Sequence, residues 1–295
     1  MTEPIPQISA ITTCKGRLAH VKETLPLLMA QPFHEVIVVD YDCPDGVGDW
    51  VAGVFPSVKV VRVENRPLFN AGAARNAGVA AATAPWLFLV DADVCVAANF
   101  LKETRDLLEP GAYFLAEPRG TGTWGTLFAL RRDIDAVGGY DETYRGWGGE
   151  DDDLTDRLED HGLARGVYDG RLVTSIPHGN ELRMRHHEAD DPRITGAVNA
   201  FYRRVKRDLG RLGVTLDAKA RERLYGEIVK SVAPGRTPGL FEVEFGRHEA
   251  WDLARVASLK FKFVPPAPSE RPTNPNMAAY GVPKASANEP KSSKA

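Results

Sequence analysis

Hydrophobic and polar positions alternate in blocks over the first hundred residues, and the blocks change period. Ile8 to Thr12 is a short apolar run that predicts a buried strand. Leu18, Val21, Leu25 and Leu28 then recur at helical spacing, predicting a helix over Leu18 to Met29 with Pro26 weakening its middle. Glu35 to Asp40 and Lys59 to Val63 are β-branched strand runs, Asn70 to Ala82 is a small-residue helix, and Trp86 to Val90 is a buried strand running into Asp91. Strands that alternate with helices predict an α/β fold, Rossmann-like, with a mostly parallel sheet and helices on both faces. Ligands of such sheets bind beyond the carboxyl ends of the strands. Thr12-Thr13-Cys14-Lys15, Asp40-Tyr41-Asp42 and Asp91-Ala92-Asp93 all fall at such ends, so three polar strand ends are expected to share one cleft.

The second half is less regular. A strand is expected over Thr126 to Leu130, and a short helix over Arg131 to Val137. A further helix is expected over Asp151 to His161, stopped by Gly162, with one or two strands in Val167 to Ile176. Ala197 to Leu212 is amphipathic and basic, another helix covers Leu216 to Val232, and late strands are expected at Leu240 to Phe245 and Leu259 to Val264. From Pro265 the composition shifts to Pro, Ser, Asn, Ala and Lys, which predicts a disordered tail over 265–295. The expected organisation is one domain over 1–264, with a regular half at 8–95 and a less regular half at 96–264.

Composition adds exclusions. A net charge of −3 over 295 residues argues against nucleic-acid electrostatics. No apolar stretch approaches the roughly 20 residues of a membrane span, and no signal peptide is apparent, so a cytoplasmic location is expected. Cys14, Cys43 and Cys95 are odd in number, and their spacing gives neither a disulfide framework nor a zinc site.

Chemistry concentrates in three segments. Gly146-Trp147-Gly148-Gly149 is followed by four consecutive carboxylates, Glu150 to Asp153. Acids in a first helical turn favour the macrodipole by roughly 0.3–1 kcal/mol each, which accounts for one or two of them and not for the glycines and tryptophan in front. Glycine allows close backbone approach, and tryptophan offers a flat face to a sugar ring or base. Asp91-Ala92-Asp93 can put one carboxylate on a divalent ion and the other near a ribose hydroxyl. Met184-Arg185-His186-His187 can add an imidazole, and its thioether tilts the choice toward manganese over magnesium. His20, His34, His161, His178 and His248 show no pairing pattern and read as structural.

These residues carry a resemblance. Trp147-Gly148-Gly149-Glu150-Asp151-Asp152-Asp153 and Arg183-Met184-Arg185-His186-His187 resemble motifs of the β-1,4-galactosyltransferase family, with chondroitin-polymerase-like domains sharing the first. Ile11 to Arg17, Val38-Val39-Asp40, Ala74 to Gly78 and Leu89 to Asp93 are similar to family 2 glycosyltransferases. The resemblance implies a GT-A fold and a metal-dependent, inverting glycosyltransferase that uses a nucleotide-sugar donor, UDP-linked above all, and a glycan or glycoconjugate acceptor. It maps Asp93, His187 and Met184 onto the site of Mn2+ or Mg2+, leaving the choice between His186 and His187 open. It maps Asp151 onto the catalytic base, Glu150 and Asp152 onto acceptor binding, and Trp147 onto the loop that covers the donor. Thr12, Arg17, Asp40 and Arg75, together with Asp91, match nucleotide-binding positions. Arg145-Gly146-Trp147 stands where the galactosyltransferases have Trp-Gly-Trp, so the acceptor wall differs. Helix-start amides are expected to keep Asp151 ionised at neutral pH. A retaining GT-A transferase, or a non-catalytic sugar-nucleotide- or glycan-binding subunit of a polysaccharide-assembly complex, are the rival readings.

Overall fold

A computed structural model describes residues 6–120, 122–188 and 192–232, and the backbone of 240–245 and 257–262. The chain divides into a unit Met1–Val264 and a unit Pro265–Ala295, and the described residues all belong to the first. The expectation of a disordered tail lies outside them, as does His248.

The elements run β1 (Ile8–Cys14), α1 (Leu18–Met29), β2 (Glu35–Tyr41), α2 (Val47–Val54), β3 (Lys59–Val63), α3 (Ala71–Ala81), β4 (Trp86–Asp91), β5 (Val94–Val96) and α4 (Phe100–Thr104). They continue with β6 (Ala112–Glu117), β7 (Leu127–Leu130), α5 (Arg131–Ala136), α6 (Glu150–Asp160), β8 (Ala164–Asp169), β9 (Val173–Ser175), α7 (Asn180–Met184), α8 (Pro192–Arg211), α9 (Ala218–Val232), β10 (Leu240–Phe245) and β11 (Ala257–Lys262). Seven strands form one sheet in the order β3-β2-β1-β4-β7-β6-β8. β7 alone among these seven runs against its neighbours. Chain order reverses between β1 and β4, so their carboxyl ends flank the crevice where such sheets bind ligands.

Period-2 alternation fixes what each face buries. Ala10, Val36, Val38, Phe88, Val90, Phe114 and Phe128 face one layer with Val21, Leu25 and Leu28 of α1, Val47 and Val51 of α2, and Phe100 of α4. Ile11, Ile37, Val39, Leu87, Leu89, Leu115 and Leu127 face the other, with Ala74 and Val79 of α3, Ile134 of α5, and Leu154 and Leu158 of α6. A satellite core around Tyr202, Tyr144, Tyr225 and Ile228 joins α8 and α9 to the loop before α6.

Helix α1 runs unbroken through Pro26. Pro26 is exposed, so water can take the carbonyl of Lys22 that loses its partner. The small-residue pattern of α3 has a packing reason: a Cβ on Gly78 would lie 2.4 Å from Ile11 Cγ2. Only glycine lets the helix axis approach the sheet this closely, and that approach carries Arg75 toward the end of β4. Asn70 caps the helix by accepting from the Ala73 amide at 2.9 Å.

Candidate active site

Arg75 is the hub. Its guanidinium is buried under Tyr140, 5.2 Å from the ring centroid. Nη2 donates to Asp91 Oδ1 at 2.7 Å, and Nη1 lies 2.9 Å from Glu150 Oε1 and 3.0 Å from Asp151 Oδ1. One cation thus ties the end of β4 to the start of α6, whose Glu150 lies 75 residues beyond Arg75 in the chain. A Cβ on Gly125 would sit 2.6 Å from both Arg75 Nη2 and Asp91 Oδ2, so the segment before β7 presses its bare backbone onto this pair.

The turn before α6 is built from glycines because its backbone is left-handed, with φ of +71° at Gly146, +84° at Gly148 and +99° at Gly149. Asn199 of α8 holds the turn by donating to the carbonyls of Gly148 at 2.6 Å and Arg145 at 3.0 Å. Trp147 is 36% exposed, with the Arg183 guanidinium 5.1 Å from its ring centroid.

The four acids then part company. Asp153 is buried and pairs with Lys206 at 2.5 Å and Arg157 at 2.9 Å, a scaffold role. Asp152 lies 3.3 Å from Arg203 and keeps an exposed edge. The basic stripe of α8 is largely spent on α6, because Arg203 and Arg207 also hold Asp156. Glu150 and Asp151 face Arg75.

The charge state of Asp151 corrects the sequence expectation. Burial pushes its pKa well above the usual carboxylate value, and Glu150, Asp91 and Asp152 add to the rise that Arg75 opposes. Burial and the neighbouring carboxylates together outweigh Arg75 and the helix-start amides.

Asp93 is bonded by a residue that read as structural. His178 Nε2 lies 2.5 Å from Asp93 Oδ2, and Arg17 Nη1 lies 3.7 Å from the same oxygen. Burial would raise the Asp93 pKa, yet the His178 hydrogen bond and the Arg17 charge hold it below its ordinary value. His20 joins the group, 5.5 Å from the His178 ring and 3.3 Å from Arg17 Nη1. The connection is topological: β9 pairs with β5, and the Ile176 amide bonds the Asp93 carbonyl at 2.7 Å, which delivers His178 two residues later. β9 lies within the strands expected over Val167 to Ile176, but strands of three residues carry too short a pattern to show that β5 is its partner.

The other expected metal residues follow. Met184 is buried at the end of α7, and His187 lies against Phe69 with ring centroids 5.9 Å apart. His187 Nδ1 is buried without a hydrogen-bond partner, and burial, with His186 and Arg17 nearby, pulls the ring down to about 4. His186 instead covers Gly16, where a Cβ would meet its Nε2 at 2.1 Å. Among the described residues no three His, Cys, Asp or Glu side chains converge as a metal group.

Of the residues expected to hold the nucleotide, Thr12 is buried on β1 between Val38 and Val90, its hydroxyl without a hydrogen-bond partner. Asp40 accepts from the Cys43 amide at 2.9 Å and the Gly48 amide at 3.1 Å, shaping the loop after β2. Sequence reading also passed over Trp124, 41% exposed beside Gly125, and Arg119, 4.6 Å from its ring centroid.

The family models meet in this arrangement. The family 2 glycosyl transferase model matches residues 9–145, and the model for the N-terminal domain of galactosyltransferase matches 115–187. The chain is a family 2-like glycosyltransferase with the GT-A fold. Two solved structures show how far the glycosyltransferase's fold is shared. The mannosyltransferase PcManGT from Pyrobaculum calidifontis, in complex with GDP-Man and Mn2+, superposes with a TM-score of 0.53 at 15% identity, covering 80% of this chain and 77% of that one. TarS 1-349 from S. aureus, in complex with UDP-GlcNAc, gives 0.54 at 17% identity, covering 76% and 71%. No curated protein matches this glycosyltransferase in sequence. No helix among its described residues is long and apolar enough to cross a membrane.

Proposed function

We propose that this glycosyltransferase moves a sugar from a nucleoside-diphosphate donor, UDP-linked, to a hydroxyl of a glycan or glycoconjugate acceptor, with inversion and with Asp151 as the base. The observation that carries the reading is the Arg75 bridge, which holds the β4 acid Asp91 and the α6 acids Glu150 and Asp151 around one guanidinium. Donor-side and acceptor-side elements are thereby joined at a single point. Asp151, its pKa raised by burial and by its acidic neighbours, is a stronger proton acceptor than a surface carboxylate once ionised. It takes the proton of the attacking hydroxyl, while Glu150 and Asp152 orient the acceptor and Trp147 offers a flat face to the sugar. Thr12, Arg17 and Asp40 line the nucleotide side, where the charge of Arg17 faces the diphosphate.

A divalent cation, Mn2+ by preference, suits the chemistry of these donors, although among the described residues they do not converge as a group of three. Asp93 supplies a low-pKa carboxylate, His178 faces it, and His187, whose amide bonds the Met184 carbonyl, brings a neutral imidazole with an orphaned Nδ1. Asp93 with His178 would hold the ion first, and His187 and Met184 would complete the set. When bound, it offsets the charge that builds on the leaving diphosphate. One displacement by one base gives a β-linkage from an α-linked donor.

The test is to incubate the purified chain with UDP- and GDP-sugars and Mn2+, and to read the anomeric configuration of the product by NMR. An α-product from an α-donor would replace inversion by retention. Donor binding without turnover over a broad acceptor panel would make the chain a binding subunit.

A further inference from the structure

Cys14 closes β1, and Cys43 stands two residues beyond β2. Their spacing gave no hint of pairing, yet the fold sets the two Sγ atoms 3.8 Å apart. Cys14 is fully buried and Cys43 half-buried, so one sulfur is reachable and the other is held in reserve behind it. The Gly16 amide donates to Cys43 Sγ at 3.2 Å. The surrounding loops are already laced together: Lys15 Nζ donates to the carbonyls of Asp42 at 2.6 Å and Arg66 at 2.7 Å. The Cys43 amide in turn bonds Asp40.

We propose that Cys14 and Cys43 are an oxidisable dithiol site, converted by hydrogen peroxide to an intramolecular disulfide that ties the loop after β1 to the loop after β2. The Cys43 sulfur attacks one peroxide oxygen, the O–O bond breaks, and Cys43 becomes a sulfenic acid as the first water forms. The Cys14 sulfur then attacks Cys43 Sγ. An S–S bond forms as the S–O bond breaks, and the Cys14 proton leaves with the hydroxyl as the second water. Two thiols are oxidised by two electrons, and peroxide is reduced to two waters. The Cys14 hydrogen bond and the Gly16, Asp45 and Val47 amides favour the thiolate of Cys43 against the effect of burial, holding its pKa down to about 6. That makes Cys43 the attacking group near neutral pH, while Cys14, whose thiol is pushed up, resolves the intermediate. Closing the contact to the about 2.0 Å of a disulfide removes the anionic sulfur that Gly16 bonds. It also pulls on the amide that Asp40 anchors. Because Arg17 and Asp40 flank these loops, oxidation weakens donor binding, a consequence that rests on the proposed donor site.

The full chain, fully reduced and then treated with hydrogen peroxide at pH 7, is denatured and alkylated with N-ethylmaleimide. The expected product carries one adduct, on Cys95, and a Cys14–Cys43 linked peptide, and dithiothreitol returns all three thiols. Cys14→Ser should stop at a Cys43 sulfenic acid that dimedone traps, and Cys43→Ser should form no disulfide. Three free thiols after peroxide, a link through Cys95, or a bond between chains would overturn the site, and the wild-type peptide map decides this whether or not the variants fold. UDP affinity measured before and after oxidation should fall at least tenfold and recover on reduction. Equal affinity in both states would refute the effect on the donor, whereas no UDP binding in the reduced chain would count against the donor reading and leave the disulfide result standing.

Discussion

The Arg75 guanidinium lies 3.0 Å from the Asp151 carboxylate, and the same side chain holds Asp91 on the opposite side. The base candidate is therefore restrained by a cation that also fixes the donor-side acid, and its reactivity depends on how that cation is shared.

Asp151→Asn keeps the size and polarity of the side chain but cannot accept a proton. The expected loss in kcat is ~10²–10⁴-fold, the range for removing general-base assistance, with UDP affinity nearly unchanged. Glu150→Gln should lose less. Steady-state kinetics with a saturating acceptor decide the order, and a reversed order would make Glu150 the base.

The raised pKa of Asp151 has a direct sign. The base works ionised, so kcat should fall as pH drops through a value above the ordinary carboxylate range of about 4. The pH profile of kcat is the measurement, and an acid limb at or below that range would contradict the environment described.

Arg75→Met leaves Asp91, Glu150 and Asp151 partly buried without their cation. Breaking a buried pair on one side costs about 3–5 kcal/mol. Removing the cation takes away the charge that opposes the rise at Asp151, so its folded-state pKa climbs further. The penalty should be small below the unfolded pKa of Asp151, where it is protonated in both states, and should grow as pH rises through the folded one. Thermal melts across pH 4 to 8 should show the variant approaching wild type at the acid end. A deficit independent of pH would point to lost packing against Tyr140 instead.

Asp93→Ala should abolish Mn2+-stimulated transfer, and chelation by EDTA should do the same to the wild type. His178→Ala should follow closely, with His187→Ala milder and His186→Ala milder again. Activity titrated against Mn2+ orders the variants. A His187 variant worse than His178 would shift the cation toward α7.

Gly125→Ala places a methyl group within 2.6 Å of Arg75 Nη2 and Asp91 Oδ2. Both groups are held by other partners, so the segment must move; overpacking of this kind costs typically 1–3 kcal/mol. A raised donor KM, with a lowered melting temperature, is the expected outcome.

Much of the donor half was legible. Strand runs such as Glu35 to Asp40 and Trp86 to Val90 are buried on both faces and carry a period that only a covered sheet satisfies. The small residues of Asn70 to Ala82 marked α3, and the structure adds the reason for them, its close approach to the sheet at Gly78. β9 falls within the strands expected over Val167 to Ile176, whereas β6, α2 and β5 went unread because each is short, at six, eight and three residues. α8 begins at Pro192, before the expected Ala197. The acidic run pointed to the right place but hid a division of labour. Asp153 meets Lys206 and its i+4 neighbour Arg157, whereas Asp151 meets Arg75, and no local pattern connects Lys206 or Arg75 to the run.

The pairing of Asp93 with His178 spans 85 residues, and His186 closes over Gly16 from 170 positions away. A nascent chain that has emerged through Asp93 already owns its strand-end acids, yet the groups that face them have still to be synthesised. The sheet can form early from neighbouring βα units, whereas the pocket waits for the segment around α7 to arrive. Assembly of the catalytic crevice is thus a late event in synthesis, and a translation product halted before residue 178 would be a folded platform with an unfinished mouth.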